Sequence, residues 1–264
     1  MICSWPHAGL SMFDSMDPTK RFSNRVENYR RSRPGYPQAV IDLIRETACL
    51  EPGAKVADIG SGTGILTRLL LDAGWNVYAA EPNAPMREAA EADLGGSPFF
   101  HSIAARAEAT TLSATSMNAI ACAQAFHWFE RDPACAEFHR ILKPGGWVFL
   151  IWNERCQGTP FDEDYHRILA TLGQAYEGVR DRTKDKAIES FFSPGTYREV
   201  SFPNSTPMTW EILRGRFLSS SYVPTEEDPR HPALLAELES IFLKHQTAGQ
   251  VVLEQETRVY FGQV

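Results

Sequence analysis

KVADIGSGTGILTRLLLDAG, residues 55–74, carries the strongest structural signal in the chain. An apolar run that ends at Ile59 is followed by glycines at the alternate positions 60, 62 and 64, and then by an apolar helical pattern. Glycine at these positions lets the backbone turn sharply and lets a ligand approach where a Cβ would clash. Amides at the start of the following helix would then face an anion. The segment predicts a strand, a ligand-binding turn and a helix.

The spacing of these glycines argues against a dinucleotide site. A dinucleotide fingerprint places its third glycine one position later, where this chain has Ile65, and it does not call for Asp58 two residues before Gly60. A glycine-rich turn that binds no ligand is the structural alternative.

A second acidic residue, Glu81, ends the next apolar run, WNVYAAE. A carboxylate at a strand end can accept hydrogen bonds from both hydroxyls of a ribose, so a nucleoside ligand is implied. As a strand-end carboxylate, Glu81 is expected to pack little and to be dispensable for folding. Pro82 and Met86 follow on the next turn, where an apolar wall could sandwich a flat base, although Met86 taken alone is better explained as a core residue.

Strand and helix patterns alternate on both sides of this segment. PQAVIDLIRETACL (37–50) has Val40, Ile41, Ile44 and Ala48 on one helical face. Downstream, PMREAAEAD and residues 133–142 follow a helical pattern, whereas PFFHSIA, AIACAQA and WVFLIWN are apolar runs typical of strands. Continuous apolar strands separated by helices predict a parallel sheet that is covered on both faces.

The alternation becomes less regular after Asn153. Residues 161–178 and 230–247 follow helical patterns, and residues 179–196 are charged and broken by Pro194-Gly195. The terminal VVLEQETRVYFGQV is rich in β-branched and aromatic residues and therefore favours a strand. This part of the chain is predicted to form a further strand pair with intervening helices and to cover the active site.

Size and charge limit the classes of function. The chain has 264 residues and a formal net charge of -7, with no long run of lysine or arginine. This length fits one α/β domain with an inserted cap. Binding to a phosphate backbone calls for a basic patch, so nucleic acid is not expected as a substrate.

Cysteine usage and hydropathy give an expected location. The five cysteines are odd in number and share no CxxC spacing, which indicates reduced thiols. The N-terminal stretch has no apolar segment of signal-peptide length, and no long apolar run elsewhere would span a membrane. We therefore expect a cytoplasmic protein, monomeric or homodimeric, without membrane attachment. No clustered metal-ligand spacing such as HExxH occurs, so no metal site is predicted.

A family resemblance emerges from the order of four segments: DIGSGTG (58–64), Glu81, AQAFHWFE (123–130) and LKPGG (142–146). Together they resemble the class I S-adenosylmethionine-dependent methyltransferases, in particular the type 11 group that includes trans-aconitate methyltransferase-like enzymes. The likeness extends to RSRPGYP (31–37), SSSYVP (219–224) and the terminal ETRVYFG. It implies a Rossmann-like doubly wound sheet, mainly parallel, with an antiparallel C-terminal strand and a helical cap. The expected boundaries are a flexible leader over 1–22 and a methyltransferase domain over 23–264, with the cap within about 155–250.

The resemblance also implies which residues hold S-adenosylmethionine. The methionine part would be surrounded by Asp58, Gly60, Ser61, Gly62 and Gln124. Glu81 would hold the ribose, and Pro82, Met86, Arg106 and Ala107 would lie along the adenine. Tyr29 and Arg33 resemble lid residues that approach the methionine carboxylate, for which arginine is a natural bidentate partner. Many relatives carry aspartate where this chain has Arg106, which weakens that adenine contact.

The aromatic segment after the fourth strand would line the acceptor pocket. Methyl transfer from a sulfonium is an in-line displacement that requires alignment and exclusion of water. Aromatic rings from Phe126 to Phe129 could supply both, although the same rings could equally pack the next helix. His127 is the candidate catalytic residue, acting as a general base toward a hydroxyl or amine. A carboxylate acceptor would need no base, and Arg30, Arg33 or Arg155 could then position it.

The sequence supports a small-molecule methyltransferase best, with a carboxylic acid or a hydroxyl compound as acceptor. Methylation of RNA or protein is the alternative within enzymes, and a non-catalytic module that binds S-adenosylmethionine is the alternative outside them.

Overall fold

The computed structural model describes residues 26, 30, 32–156, 158–172, 185–220 and 222–264. The expected leader over residues 1–22 and the candidate residue Tyr29 lie outside the described residues.

A seven-stranded sheet forms the centre of the fold, with the strand order β3-β2-β1-β4-β5-β9-β6. In chain order the sheet strands are β1 (Lys55–Ile59), β2 (Asn76–Ala80), β3 (Phe100–Ile103), β4 (Met117–Ala123), β5 (Leu142–Arg155), β6 (Tyr197–Pro203) and β9 (Gln255–Gly262). β9 runs antiparallel to both of its neighbours, and the other pairings are parallel. Two short strands, β7 (Thr206–Met208) and β8 (Val251–Leu253), form a separate antiparallel pair. The mainly parallel sheet with an antiparallel C-terminal strand confirms the predicted fold class.

Eight described helices connect or cover the strands. Those of the first half are α1 (Gln38–Thr47), α2 (Ile65–Asp72), α3 (Ala84–Leu94) and α4 (Arg131–Ile141). Those of the second half are α5 (Pro160–Ala170), α6 (Asp185–Phe192), α7 (Trp210–Leu218) and α8 (His231–His245). α5 ends at Ala170, earlier than the helix predicted over 161–178, and residues 173–178 of that prediction lie outside the described residues.

The sheet is buried on both faces because side chains alternate along each strand. On β4, Ile120 and Cys122 pack with Phe138 and Phe192, from α4 and α6, in one core. The neighbouring Ala119 and Ala121 join a second core that contains the buried face of α1: Val40, Ile41 and Ile44. This arrangement confirms the sheet covered on both faces that the continuous apolar strands predicted.

A third apolar cluster lies apart from the sheet cores and is built from α5, α7, α8, β7 and β8. Its fully buried side chains include Ile168, Leu213, Phe217 and Leu238. We call this unit the C-terminal cluster.

LKPGG (142–146) marks the amino end of β5, where Leu142 pairs with Met117 at the start of β4. A Cβ on Gly146 would lie only 2.8 Å from Leu142 Cδ2 and 3.0 Å from the Lys143 carbonyl oxygen. Close backbone packing therefore explains this glycine, and the segment lies at the end of the sheet opposite Gln124. In the part of the chain that the structure describes, no helix is long and apolar enough to cross a membrane.

Candidate functional site

The glycine turn after β1 adopts left-handed backbone angles that explain its sequence. Gly60, Gly62 and Gly64 have φ values of 72°, 56° and 83°. A Cβ on Gly60 would lie 2.4 Å from Ala125 Cβ, and one on Gly64 would lie 2.6 Å from Leu94 Cδ1. Gly62 differs, because its hypothetical Cβ has nothing nearer than Met86 Cε at 3.9 Å. Packing thus accounts for two of the glycines, whereas Gly62 borders open space that a ligand can enter.

Asp58 lies at the end of β1, fully buried beneath the turn. The Thr67 hydroxyl donates to Asp58 Oδ2 over 2.6 Å, while Oδ1 has no hydrogen-bond partner among the described residues. Burial raises the pKa of Asp58 to about 7, and the nearby negative charge of Glu81 also raises it. A buried acceptor atom without a donor suits a ligand that brings a positive charge or an N–H group.

Glu81 joins the glycine turn to the start of α3. Its carboxylate accepts hydrogen bonds from the Gly62 amide at 2.9 Å and the Asn83 amide at 2.8 Å. The residue is only 9% exposed, and burial raises its pKa despite these two hydrogen bonds. The expectation that Glu81 packs little is therefore wrong, because the strand end turns the carboxylate inward onto two backbone amides.

Gln124 follows β4 and faces the same carboxyl edge of the sheet. It is held with a φ of 55° by a hydrogen bond from its amide to the Ile151 carbonyl oxygen, at 2.9 Å. Its side-chain Nε2 donates to the Asn153 carbonyl oxygen at 3.1 Å. The carboxyl ends of β1, β2 and β4 therefore bring Asp58, Ser61, Glu81 and Gln124 to one edge of the sheet.

The expected adenine residues have different environments. Met86 is 4% exposed and lies beside the glycine turn, and Pro82 precedes α3 and is half-buried. Ala107 is buried after β3. The exposed Arg106 side chain instead forms ion pairs with Glu108 at 3.2 Å and Glu130 at 3.4 Å.

The aromatic residues from Phe126 to Phe129 have different environments. Phe126 is buried and contacts Phe129, Trp152 and Phe191 edge-on, which supports a packing role for this ring. His127 is half-buried in a short 3-10 helix over Phe126–Trp128, with its Nδ1 atom buried. Its ring lies 4.7 Å from that of Trp128, centroid to centroid.

The two described N-terminal arginines have separate partners. Arg33 donates to Ser219 Oγ at 2.9 Å and to the Ser219 carbonyl oxygen at 3.2 Å, which links the N-terminal segment to the residue after α7. Arg30 forms an ion pair with Asp93 on α3. The structure therefore brings Arg33, and not Arg30, toward the C-terminal cluster.

Sequence reasoning missed three residues around Arg33 and Arg155: Tyr165, Arg216 and Tyr222. Arg216 and Tyr165 interact electrostatically, and the Arg155 guanidinium lies 5.5 Å from the centre of the Tyr165 ring. Arg216 had a signal in the sequence, since RGRFL (214–218) puts two arginines on opposite faces of one helix. Among the described residues, no group of three or more histidine, cysteine or acidic side chains could hold a metal ion.

The family model for the methyltransferase domain matches residues 57–150, which contain the glycine turn, Glu81 and Gln124. An uncharacterized methyltransferase-like protein of Schizosaccharomyces pombe is 28% identical over 247 residues, covering 91% of this chain and 94% of that protein. An uncharacterized methyltransferase of Mycobacterium tuberculosis is 34% identical over 166 residues, covering 63% of this chain and 64% of that protein. The similarity to the yeast protein thus extends well beyond the matched domain.

The fold has counterparts among solved structures. A type II methyltransferase structure from Anaeromyxobacter dehalogenans aligns with a TM-score of 0.64 and 21% identity, covering 88% of this chain and 97% of that chain. The family match covers the turn and the acidic strand end. Residues 57–150 therefore form a type 11 methyltransferase domain, and the chain is an S-adenosylmethionine-dependent methyltransferase with a Rossmann-like fold.

Proposed function

We propose that this methyltransferase acts on a small molecule, which binds between the carboxyl edge of the sheet and the C-terminal cluster. S-adenosylmethionine supplies a methyl group on a sulfonium, which an acceptor displaces in line. The remaining demands on the protein are to hold the cofactor, align the acceptor and exclude water.

The residues at the edge of the sheet fit the cofactor. The space beside Gly62 admits a ligand next to the backbone, and the buried Asp58 Oδ1 can accept from a positively charged ammonium. Glu81 already orients the Gly62 amide, so a ribose at its carboxylate would be positioned relative to the turn. Arg33 is the candidate for the methionine carboxylate, and the assignment of Tyr29 stays a prediction.

The observation that carries the small-molecule proposal is the contact between the N-terminal segment and the cap. Arg33 joins Ser219 beyond α7, and the Asn153 side-chain amide donates to the Gly35 carbonyl oxygen at 3.1 Å. The Asn204 amide donates to the same oxygen at 2.9 Å. These bonds hold the N-terminal segment beside the edge near Gln124, and an edge covered in this way would favour a small acceptor over a nucleic acid or protein surface. We accordingly propose that the C-terminal cluster is the substrate cap predicted within about 155–250.

His127 is proposed to shape the acceptor pocket beside this edge. With a hydroxyl or amine acceptor it would act as a general base, since histidine is the side chain best suited to exchange a proton near neutral pH. With an acceptor that is already ionised it would only position the nucleophile. A pH profile of turnover separates the two roles.

The proposal is tested by following the label from S-adenosylmethionine carrying a tritiated methyl group into a cell extract. The extract is divided beforehand into small-molecule, RNA and protein fractions. We expect labelled product from the small-molecule fraction, strongly reduced for the Glu81→Ala variant. Label found only in RNA or protein would refute the small-molecule assignment. Cofactor binding without label in any fraction would indicate a binding module.

A further inference from the structure

We propose that Arg155, Arg216 and Tyr222 form an anion-binding subsite in the cap, which holds a carboxylate of the methyl acceptor. The inference deepens the proposed function and rests on it for the identity of the ligand as the acceptor. It goes beyond the cofactor residues, since these groups come from the end of β5, from α7 and from the segment after α7.

The side chain of Arg216 contacts neutral groups. Its guanidinium contacts the side-chain oxygen of Gln255 and, at 3.8 Å, the sulfur of Met208. Within the described residues, no carboxylate forms an ion pair with it. Burial, together with the positive charges of Arg33 and Arg155, lowers the pKa of Arg216 to about 10, although Tyr165 and Tyr222 act in the opposite direction. A partly buried guanidinium that is repelled by two other cations is stabilised by a bound anion.

Two tyrosines, Tyr165 and Tyr222, lie close to these arginines. Tyr222 is hydrogen-bonded to Ser220 and to Arg155. Burial raises the pKa of its phenol, but Arg155, Ser220 and the positive charge of Arg33 together outweigh burial and lower the pKa below the ordinary value. Tyr165 is buried under the Arg155 guanidinium and packs on Phe217, with 6.2 Å between the ring centres. The tyrosines thus surround the guanidinium groups with apolar ring surface and hydroxyl donors, as a carboxylate site requires.

The proposed subsite lies near the edge of the sheet where the cofactor is expected to bind. Gln124, beside the expected methionine end, donates to the carbonyl oxygen of Asn153, two residues before Arg155 on β5. The side chain of Asn153 donates in turn to Gly35, two residues after Arg33. The cation group therefore adjoins the edge where the methyl group would be presented, on the side of the cap.

A carboxylate is the anion that this set of donors fits best. Planar guanidinium groups form paired hydrogen bonds with the two oxygens of a carboxylate, and a phenol adds one further donor. The cofactor brings one carboxylate, for which Arg33 is the candidate. Arg216, whose described contacts are neutral, is the main candidate for a second carboxylate, and Arg155 adds its positive charge beside it. Because ion pairing lowers the nucleophilicity of an oxygen, the held carboxylate serves as an anchor and another group of the acceptor receives the methyl.

The test measures binding of citrate and succinate to protein that is already saturated with S-adenosylhomocysteine, so that the cofactor carboxylate site is filled. We expect saturable calorimetric binding to the parent protein and an affinity loss of about tenfold to a hundredfold in Arg216→Gln and in Arg155→Gln. Arg214→Gln is the matched control, because Arg214 lies on the same helix but is exposed. It should bind both acids like the parent.

Each outcome has a separate meaning. If both Gln variants lose S-adenosylhomocysteine affinity and the saturated parent binds neither acid, the group serves the cofactor and the inference is overturned. If the Arg214 control weakens binding as much as Arg216→Gln does, the effect is general charge and the inference also fails. If acid binding depends on Arg216 while methyl label reaches only macromolecules, the subsite stands and the proposed function fails. Far-ultraviolet circular dichroism shows whether each variant is folded.

Discussion

Replacing Asp58 with asparagine should stabilise the protein without cofactor and weaken cofactor binding. Asp58 is fully buried, and burial raises its pKa from 3.8 to about 7. Below the pKa of Asp58 in the unfolded chain, the carboxyl is neutral in the folded and the unfolded state. Its ionisation then has no effect on the free energy of unfolding. As the pH rises, Asp58 ionises first in the unfolded chain. The folded state therefore loses stability until the pH exceeds the pKa of Asp58 in the folded protein. Above that point, the shift from 3.8 to about 7 corresponds to about 4 kcal/mol.

Asparagine removes this pH-dependent cost because it never ionises. It can still accept the Thr67 hydroxyl, although its amide introduces a donor at the position of the unpartnered Oδ1. That second effect does not depend on pH, so a comparison between two pH values cancels it. At about pH 5 the cost in the parent is about 2 kcal/mol, and at about pH 8 it is about 4 kcal/mol.

The assay is urea unfolding of the parent and the Asp58→Asn variant without cofactor at both pH values. The stability difference, variant minus parent, should be about 2–3 kcal/mol larger at the higher pH. Titration with S-adenosylhomocysteine should show an affinity loss of about tenfold or more at the higher pH, since the variant lacks the negative charge. A stability difference that is the same at both pH values would refute the ionisation argument.

Three further substitutions test other parts of the site. Glu81→Ala should lower S-adenosylhomocysteine affinity by about tenfold to a hundredfold and cost about 1–3 kcal/mol of stability, because two backbone amides lose a charged acceptor; unchanged calorimetric and urea titrations would remove it from the site. His127→Ala should lower turnover by about a hundredfold if His127 is a base, or raise only the acceptor Michaelis constant if it positions an ionised acceptor; unaltered kinetics would exclude both. Gly64→Ala should destabilise the fold by about 1–3 kcal/mol, since the added Cβ meets Leu94 at 2.6 Å with φ at 83°; a variant with the parent's midpoint in urea would contradict this packing.

Patterns that arise from local burial could be predicted from the sequence. Continuous apolar runs located the central strands β1, β4 and β5 because both faces of the sheet are covered there, and the buried face of α1 followed from Val40, Ile41 and Ile44. The glycine turn was identifiable because left-handed backbone angles and close contacts restrict those positions to glycine.

Features that depend on distant segments could not be predicted in this way. β6 pairs with β9 across more than fifty residues of intervening chain, and no local pattern encodes that pairing. The inward turn of Glu81 depends on where the Gly62 and Asn83 amides lie in three dimensions. The orientation of Arg216 likewise follows from the packing of α7 in the cap.

A crystal structure with bound S-adenosylhomocysteine would test the central claim most directly, because it reports both the identity and the direction of the cofactor site. We predict that the ribose hydroxyls contact Glu81 and that the homocysteine part lies beside Asp58 and Gln124. The sulfur should face His127 and the cap arginines. A ligand bound away from the glycine turn, or with its sulfur directed away from the cap, would contradict the account.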